Sequence, residues 1–169
     1  MGKLSRHPVL DRRALFFGAL CAVLPDLDVV GFGYGVQYGD LWGHRRLTHS
    51  LLFAALLSGT LVGVWYRQRD AKVAAMLWLY FFLATASHGL LDALTNGGLG
   101  VAFLSPFDTT RYFFGFRPIA VSPIGVSEFF TAYGAQVLAS EARWIWMPSG
   151  VLLLSVRLIQ RMSRGRPVE

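Results

Sequence analysis

A single cysteine, Cys21, stands in a chain of 169 residues. It excludes an intrachain disulfide and any cysteine-built zinc site, and it reads as a small apolar residue inside a helix. Charge is scarce as well. Asp, Glu, Lys and Arg make up 15% of the residues, where a soluble domain carries roughly 25%. The shortage falls hardest on acids, ten against sixteen basic residues. Those basic residues flank apolar runs and do not cluster on one polar module, which argues against a nucleic-acid partner. Hydrophobic residues fill the space, 54% of the chain, and aromatics alone reach 14%. Many aromatics lie near the ends of apolar runs, where amphipathic rings favour a membrane interface.

Four apolar stretches stand out: about Arg13–Phe32, Thr48–Tyr66, Ala71–Asn96 and Trp144–Gln160. Each approaches the ~20 residues needed to cross a bilayer core. The first follows Lys3, Arg6, Arg12 and Arg13, as a secretory signal would. It runs on into Pro25-Asp26-Leu27-Asp28 without a small-x-small cleavage site, so it reads as a retained membrane helix. Between the third and fourth stretches, Gly97–Arg143 is rich in Gly, Pro and aromatics. Its apolar middle, Phe113–Phe130, is broken by Pro118 and Pro123 and reads as a re-entrant or interfacial piece. The expected fold is all-α: one membrane-embedded helical domain over residues 1–169, an integral bundle of about four transmembrane helices.

Basic residues give the orientation. With a cytoplasmic N-terminus, Lys3, Arg6, Arg12, Arg13, Arg67, Arg69, Lys72, Arg157, Arg161, Arg164 and Arg166 lie inside. Arg45, Arg46, Arg111, Arg117 and Arg143 lie outside, five against eleven. Both termini are therefore expected in the cytoplasm of a prokaryotic-type inner membrane. His7 reads as a juxtamembrane surface residue.

The unusual polar residues fall at one level of this frame. Asp26 and Asp28 lie near the outer end of the first helix, His44 and His49 at the outer start of the second, and His88 and Asp92 near the outer end of the third. Counted from the inner ends at 1.5 Å per residue, Asp28, His49 and His88 all come out roughly 22–26 Å up. Three helices thus deliver imidazoles and carboxylates to one depth. His88 and Asp92, four apart, share a helix face and can ligate one cation or neighbouring cations. His44 and His49, five apart, fit only if His44 sits in the loop and the helix begins near Leu47 or Thr48, with Thr48 as N-cap. Pro25 distorts or ends the first helix, so one of Asp26 and Asp28 can ligate while the other orients a histidine or takes a proton. The expected metal ligands are Asp28, His44, His49, His88 and Asp92, with Asp26 and Asp28 as candidate catalytic carboxylates. Mixed nitrogen and oxygen ligands suit zinc best, manganese or iron next, as one or two ions. Arg45, Arg46, Arg111 and Arg117 are candidates for holding an anionic phosphate. Asp40 and Asp108 read as turn residues, and Arg111 and Arg117 also fit a role as interfacial anchors.

At these residues the sequence resembles the YdjM-like membrane-bound proteins described as metal-dependent hydrolases. The resemblance rests on Leu24-Pro25-Asp26-Leu27-Asp28, on His44-Arg45-Arg46-Leu47-Thr48-His49-Ser50 and on His88-Gly89-Leu90-Leu91-Asp92. Thr95-Asn96-Gly97 and Ser105-Pro106-Phe107 follow. It covers roughly the first two-thirds of the chain. That family is similar in its His/Asp pattern to zinc-dependent phospholipases C and single-strand zinc nucleases. The similarity implies that His88 and Asp92 form a His-x-x-x-Asp ligand pair and that Asp28 and His44 form an upstream pair. The later His-rich motifs of those soluble enzymes are absent here. The expectation is a membrane-bound metal-dependent hydrolase, a phosphoesterase acting on a lipid or lipid-linked substrate at the outer face. The alternatives are a metal or proton transporter, for which polar residues would continue through the membrane, and a non-catalytic metal-binding membrane protein with a closed ligand shell.

Overall fold

The structure is a computed structural model that describes residues 9–164. Lys3, Arg6 and Arg166, which entered the charge reading, and His7 lie outside the described residues. The fold is all-helical, and the chain divides into two compact units.

The first unit holds three apolar helices. Helix α1, Arg12–Val23, opens on Asp11, whose carboxylate accepts from Ala14 N at 2.8 Å. Pro25 has no N–H to extend the α-helical ladder, and the chain tightens into a 3₁₀ run over Leu24–Tyr34. Together they make a 23-residue apolar span, Arg12–Tyr34. Helix α2, Leu51–Trp65, is capped by Ser50, whose hydroxyl accepts from Phe53 N at 3.1 Å. The expected cap, Thr48, instead lies in a separate 3₁₀ turn, Leu47–His49. Its hydroxyl is engaged elsewhere, so the helix begins at Leu51. Helix α3, Ala71–Ala93, is a second 23-residue span, capped by Asp70.

Helices α1 and α3 run parallel. At one end Arg69, just before α3, pairs with Asp11 at 3.6 Å; at the other His88 of α3 bonds the carbonyl of Ala22. Helix α2 runs back between these ends. Ala14, Cys21, Leu61, Tyr66, Leu77 and Phe81 form the buried core of the unit. Residues 98–115 return over the far end of the bundle. There Leu51 N donates to Phe103 O, Ala102 N to Arg45 O and Phe114 N to Ala93 O, each near 3.0 Å.

The second unit comprises Thr95–Gly97 and Phe116–Glu169. Asn96 pins its irregular start, with N donating to Ile119 O at 2.8 Å and Oδ1 accepting from Val121 N at 3.0 Å. A short helix α4, Val126–Phe129, precedes α5, Ala132–Glu141. A π-turn, Ala142–Trp146, joins α5 to α6, Met147–Arg164. The fourth span thus starts at Ala132, twelve residues before the apolar run at Trp144. The stretch Ala132–Glu141 favours helix without being strongly apolar, and the wider π-turn accommodates Pro148, which has no N–H to donate.

Candidate metal centre

The 3₁₀ run after α1, the loop before α2 and the last turns of α3 meet at one end of the first unit. Gly89 permits the approach: a Cβ there would sit 3.1 Å from the His49 carbonyl oxygen. Six expected residues, Asp26, Asp28, His44, His49, His88 and Asp92, come together there.

They divide into two sets. The first is Asp26, His49, His88 and Asp92. His49 Nε2 lies 3.1 Å from Asp92 Oδ2 and 3.6 Å from Asp26 Oδ1. His88 Nε2 lies 3.1 Å from Asp26 Oδ1 and 3.8 Å from Asp92 Oδ2. Both nitrogens are buried, and neither has hydrogen-bond geometry toward any partner among the described residues. An orphaned buried nitrogen is costly, and two in one place call for a common explanation. Zinc bonds of 2.0–2.2 Å in a tetrahedron put ligand atoms about 3.3 Å apart. The four distances straddle that value, so the donor set fits a cation at its centre.

The other ring nitrogens are committed. His88 Nδ1 lies 2.8 Å from the Ala22 carbonyl oxygen, a bond in which Nδ1–H donates and Nε2 keeps its lone pair. His49 Nδ1 lies 3.2 Å from Asp28 Oδ2 and 3.0 Å from the Thr48 hydroxyl, which leaves Nε2 facing Asp26 and Asp92. Asp28 belongs to the second set, with His44 and His49. Its buried carboxylate accepts from the Thr48 hydroxyl at 2.6 Å and sits 2.7 Å from His44 Nδ1. Three donors therefore surround Asp28, as around a carboxylate that orients metal-binding histidines. Asp26 differs from it in exposure, with 54% of its side chain accessible against 2%. Asp26 forms the open side of the cluster and Asp28 its floor.

His49 carries the electrostatic signature. Burial alone would push its pKa down, but the carboxylates Asp26, Asp28 and Asp92 outweigh burial and raise it to about 10. The metal-free cluster is so rich in negative charge that it holds a proton on its most buried imidazole.

Of the four arginines, Arg45 joins the cluster through Asp92. Arg45 Nη2 donates to Asp92 Oδ1 at 3.0 Å, and Arg46 donates to the Gly39 carbonyl. Arg111 donates to the carbonyls of Tyr38, His44 and Gly100 and stacks over the Tyr38 ring, so it ties loops together beneath the site. Burial lowers its pKa from the ordinary guanidinium value. Arg117 belongs to the second unit. Asp40 and Asp108 cap turns, accepting from Gln37 N and Thr110 N, each at 2.8 Å. Sequence reasoning missed the Thr48 hydroxyl and the Ala22 carbonyl as supports. The first had a signal, a hydroxyl directly before a ligand histidine; a backbone carbonyl leaves none.

Over residues 2–165 the sequence matches the family described as YdjM inner membrane protein. The inner membrane protein YbcI of Escherichia coli (strain K12) is 40% identical over 151 residues, which span 88% of this chain and 84% of the relative. No solved structure matches the chain.

Proposed function

The chain belongs to the YdjM inner membrane protein family, and from that premise we propose that it is a membrane-bound metal-dependent hydrolase. Its substrate is a phosphoester of a lipid or lipid-linked molecule, met at the outer face of the membrane. One observation carries the reading: His49 Nε2 and His88 Nε2, buried and without hydrogen bonds among the described residues, converge with oxygens of Asp26 and Asp92. His49, His88 and Asp92 would hold a divalent ion and leave the position beside the exposed Asp26 open to water, with zinc favoured over manganese or iron by the nitrogen and oxygen donors. Bound there, the ion supplies positive charge against phosphoryl oxygens and acidifies water.

The chain's own groups do the rest. Asp28 and the Ala22 carbonyl fix the two imidazoles by their Nδ1 atoms. The exposed side of Asp26 leaves the cluster open, as a catalytic site requires and a closed structural shell does not. Of the two candidate catalytic carboxylates, Asp26 is the one that solvent reaches and is placed to accept a proton, while Asp28 is occupied by three donors. Transport is the weaker reading. Below the cluster, Ala14, Leu61, Leu77 and Phe81 fill the bundle with apolar side chains, and the buried hydroxyls of Ser58 and Thr85 are turned back onto the carbonyls of Ala54 and Phe81 in their own helices.

Both termini lie in the cytoplasm in this reading, on the strength of the eleven-to-five basic asymmetry. Cysteine placed at Gln37 should then react with an impermeant thiol reagent added outside cells, and cysteine at Gln68 should not; the reverse pattern would turn the site inward. For the activity, the purified chain in detergent is assayed on a long-chain phospholipid and a lipid phosphate, before and after chelation. Hydrolysis lost on chelation and restored by zinc supports the enzyme. A metal-loaded protein inert on both substrates but passing ions in liposomes would replace it with the transporter.

A further inference from the structure

Resting on the metal reading above, we propose that Arg45 takes the place of a second cation and makes this a mononuclear centre. Three features of the site lead there.

The first is the way Asp92 is shared. Its Oδ2 faces His49 and His88 in the four-atom set, at 3.1 and 3.8 Å, while its Oδ1 accepts from Arg45 Nη2 at 3.0 Å. A carboxylate that joins two cations through its two oxygens bridges metals in dinuclear sites. Here a guanidinium fills one of the two positions. Arg45 is built in for that purpose: it is 3% exposed, and its backbone takes φ 63°, a left-handed conformation uncommon outside glycine. Its carbonyl is tied to Ala102 N at 3.0 Å. Its guanidinium lies against Gly98, where an added Cβ would come within 2.7 Å of Nη1. A side chain so confined positions Asp92 and does not reach out to a substrate.

The second feature is the set formed by Asp28, His44 and His49. His44 Nδ1 is bonded to Asp28 at 2.7 Å, the Thr48 hydroxyl to Asp28 at 2.6 Å, and His49 Nδ1 has Asp28 and Thr48 at 3.2 and 3.0 Å. These atoms satisfy one another, so a second ion would have to break the support of the first.

The third is charge. Asp26, Asp28 and Asp92 bring three negative charges and Arg45 one positive. With neutral imidazoles, a single divalent ion brings the cluster to neutrality. A second ion would leave two positive charges unbalanced in a site whose inner members are buried.

The test counts metal in the purified full-length protein equilibrated with zinc, then measures zinc affinity by chelator competition and the visible spectrum of the cobalt-substituted form. One ion per chain is expected. Arg45→Asn, which tolerates the left-handed backbone but loses the guanidinium, should weaken zinc binding about 10–100-fold and alter the cobalt bands. Arg45→Lys keeps the charge and should recover most of both. Gly98→Ala, where φ is 82°, strains the backbone and crowds Arg45 Nη1, and in folded protein should move the bands in the same direction as Arg45→Asn. If Arg45→Asn does not fold, Gly98→Ala and the wild-type count still decide. No metal in the wild type would sink the metal reading itself. Two ions would overturn this proposal and leave that reading standing. One ion, with affinity and spectrum unchanged in folded Arg45→Asn or folded Gly98→Ala, would show that Arg45 does not position Asp92.

Discussion

The two ends of the three-helix unit are built from the same helices and obey different rules. At the end near Asp11, the core of Ala14, Leu77 and Phe81 is fully buried and apolar, held by packing with the Asp11–Arg69 pair at its rim. At the other end the helices give way to 3₁₀ turns, and buried imidazoles and carboxylates take the core positions. In a bilayer, burying a leucine between helices gains only better packing, because lipid is as apolar as the core. Burying His49 is costly unless its Nε2 is answered, by a cation or by a proton shared with the carboxylates around it. The apolar end is therefore tolerant of change, and in the proposed reading the polar end depends on a cation.

Exchanging damage between the ends gives the largest expected effect. His49→Ala removes one ligand and the contact point of both sets, and metal analysis of the purified variant should find binding lost. Leu77→Ala at the opposite end should leave metal content near that of wild type and cost about 2 kcal/mol of stability, read from unfolding in detergent. Metal loss in Leu77→Ala with the helices intact would mean that the two ends are not separable.

Acidity sharpens the contrast next, because the imidazoles lie at the polar end. His49 has its pKa raised to about 10 by the surrounding carboxylates. Its ion pairs thus stabilise the metal-free fold fully below the unfolded value of about 6.5 and lose that effect as pH rises through 10. A metal must displace this proton. Apparent zinc affinity should rise about tenfold per pH unit between 7 and 9, with proton release detectable by calorimetry in buffers of different ionisation enthalpy. A flat profile would show that His49 does not ligate.

A smaller effect is expected at Asp28, which supports the ligands. Asp28→Asn keeps the shape and loses the charge, and zinc affinity should fall about 10–100-fold with the helices unchanged by circular dichroism. A fall in hydrolysis at full metal occupancy would instead make Asp28 the general base.

Helix spans and the shared depth of the cluster were legible because both follow from counting. Apolar runs mark α1 and α3, and 1.5 Å per residue carries Asp28, His49 and His88 to one level. The division of labour was not legible. Asp26 and Asp28 are two apart and equal in sequence; only the 3₁₀ turn after Pro25 sends Asp26 to the open side and Asp28 to the buried floor. Arg45 read as an external anion binder because its neighbours are basic, yet its left-handed backbone turns it inward onto Asp92. The fourth span was read twelve residues short, since hydropathy does not register Ala132–Glu141 and the π-turn before Pro148 leaves no pattern.

Thr48 offers the finest test of the polar end, because its effect passes through two other residues before reaching the ion. Its hydroxyl donates to Asp28 Oδ2 at 2.6 Å, and the same oxygen lies 3.2 Å from His49 Nδ1. Thr48→Val keeps the branched shape and removes only the donor. Asp28 would retain His44 and His49 as donors, so its carboxylate stays paired but less firmly placed. A hydrogen bond to a charged group contributes about 1.5–3 kcal/mol when lost outright. Most of that penalty falls on stability, and only the part that lets His49 turn is felt by the ion. Zinc affinity should therefore drop about three- to tenfold, less than in Asp28→Asn. A drop as large as that in Asp28→Asn would mean that Thr48, and not the carboxylate, sets the orientation of His49. No change at all would leave His49 held by the packing of the 3₁₀ turn alone.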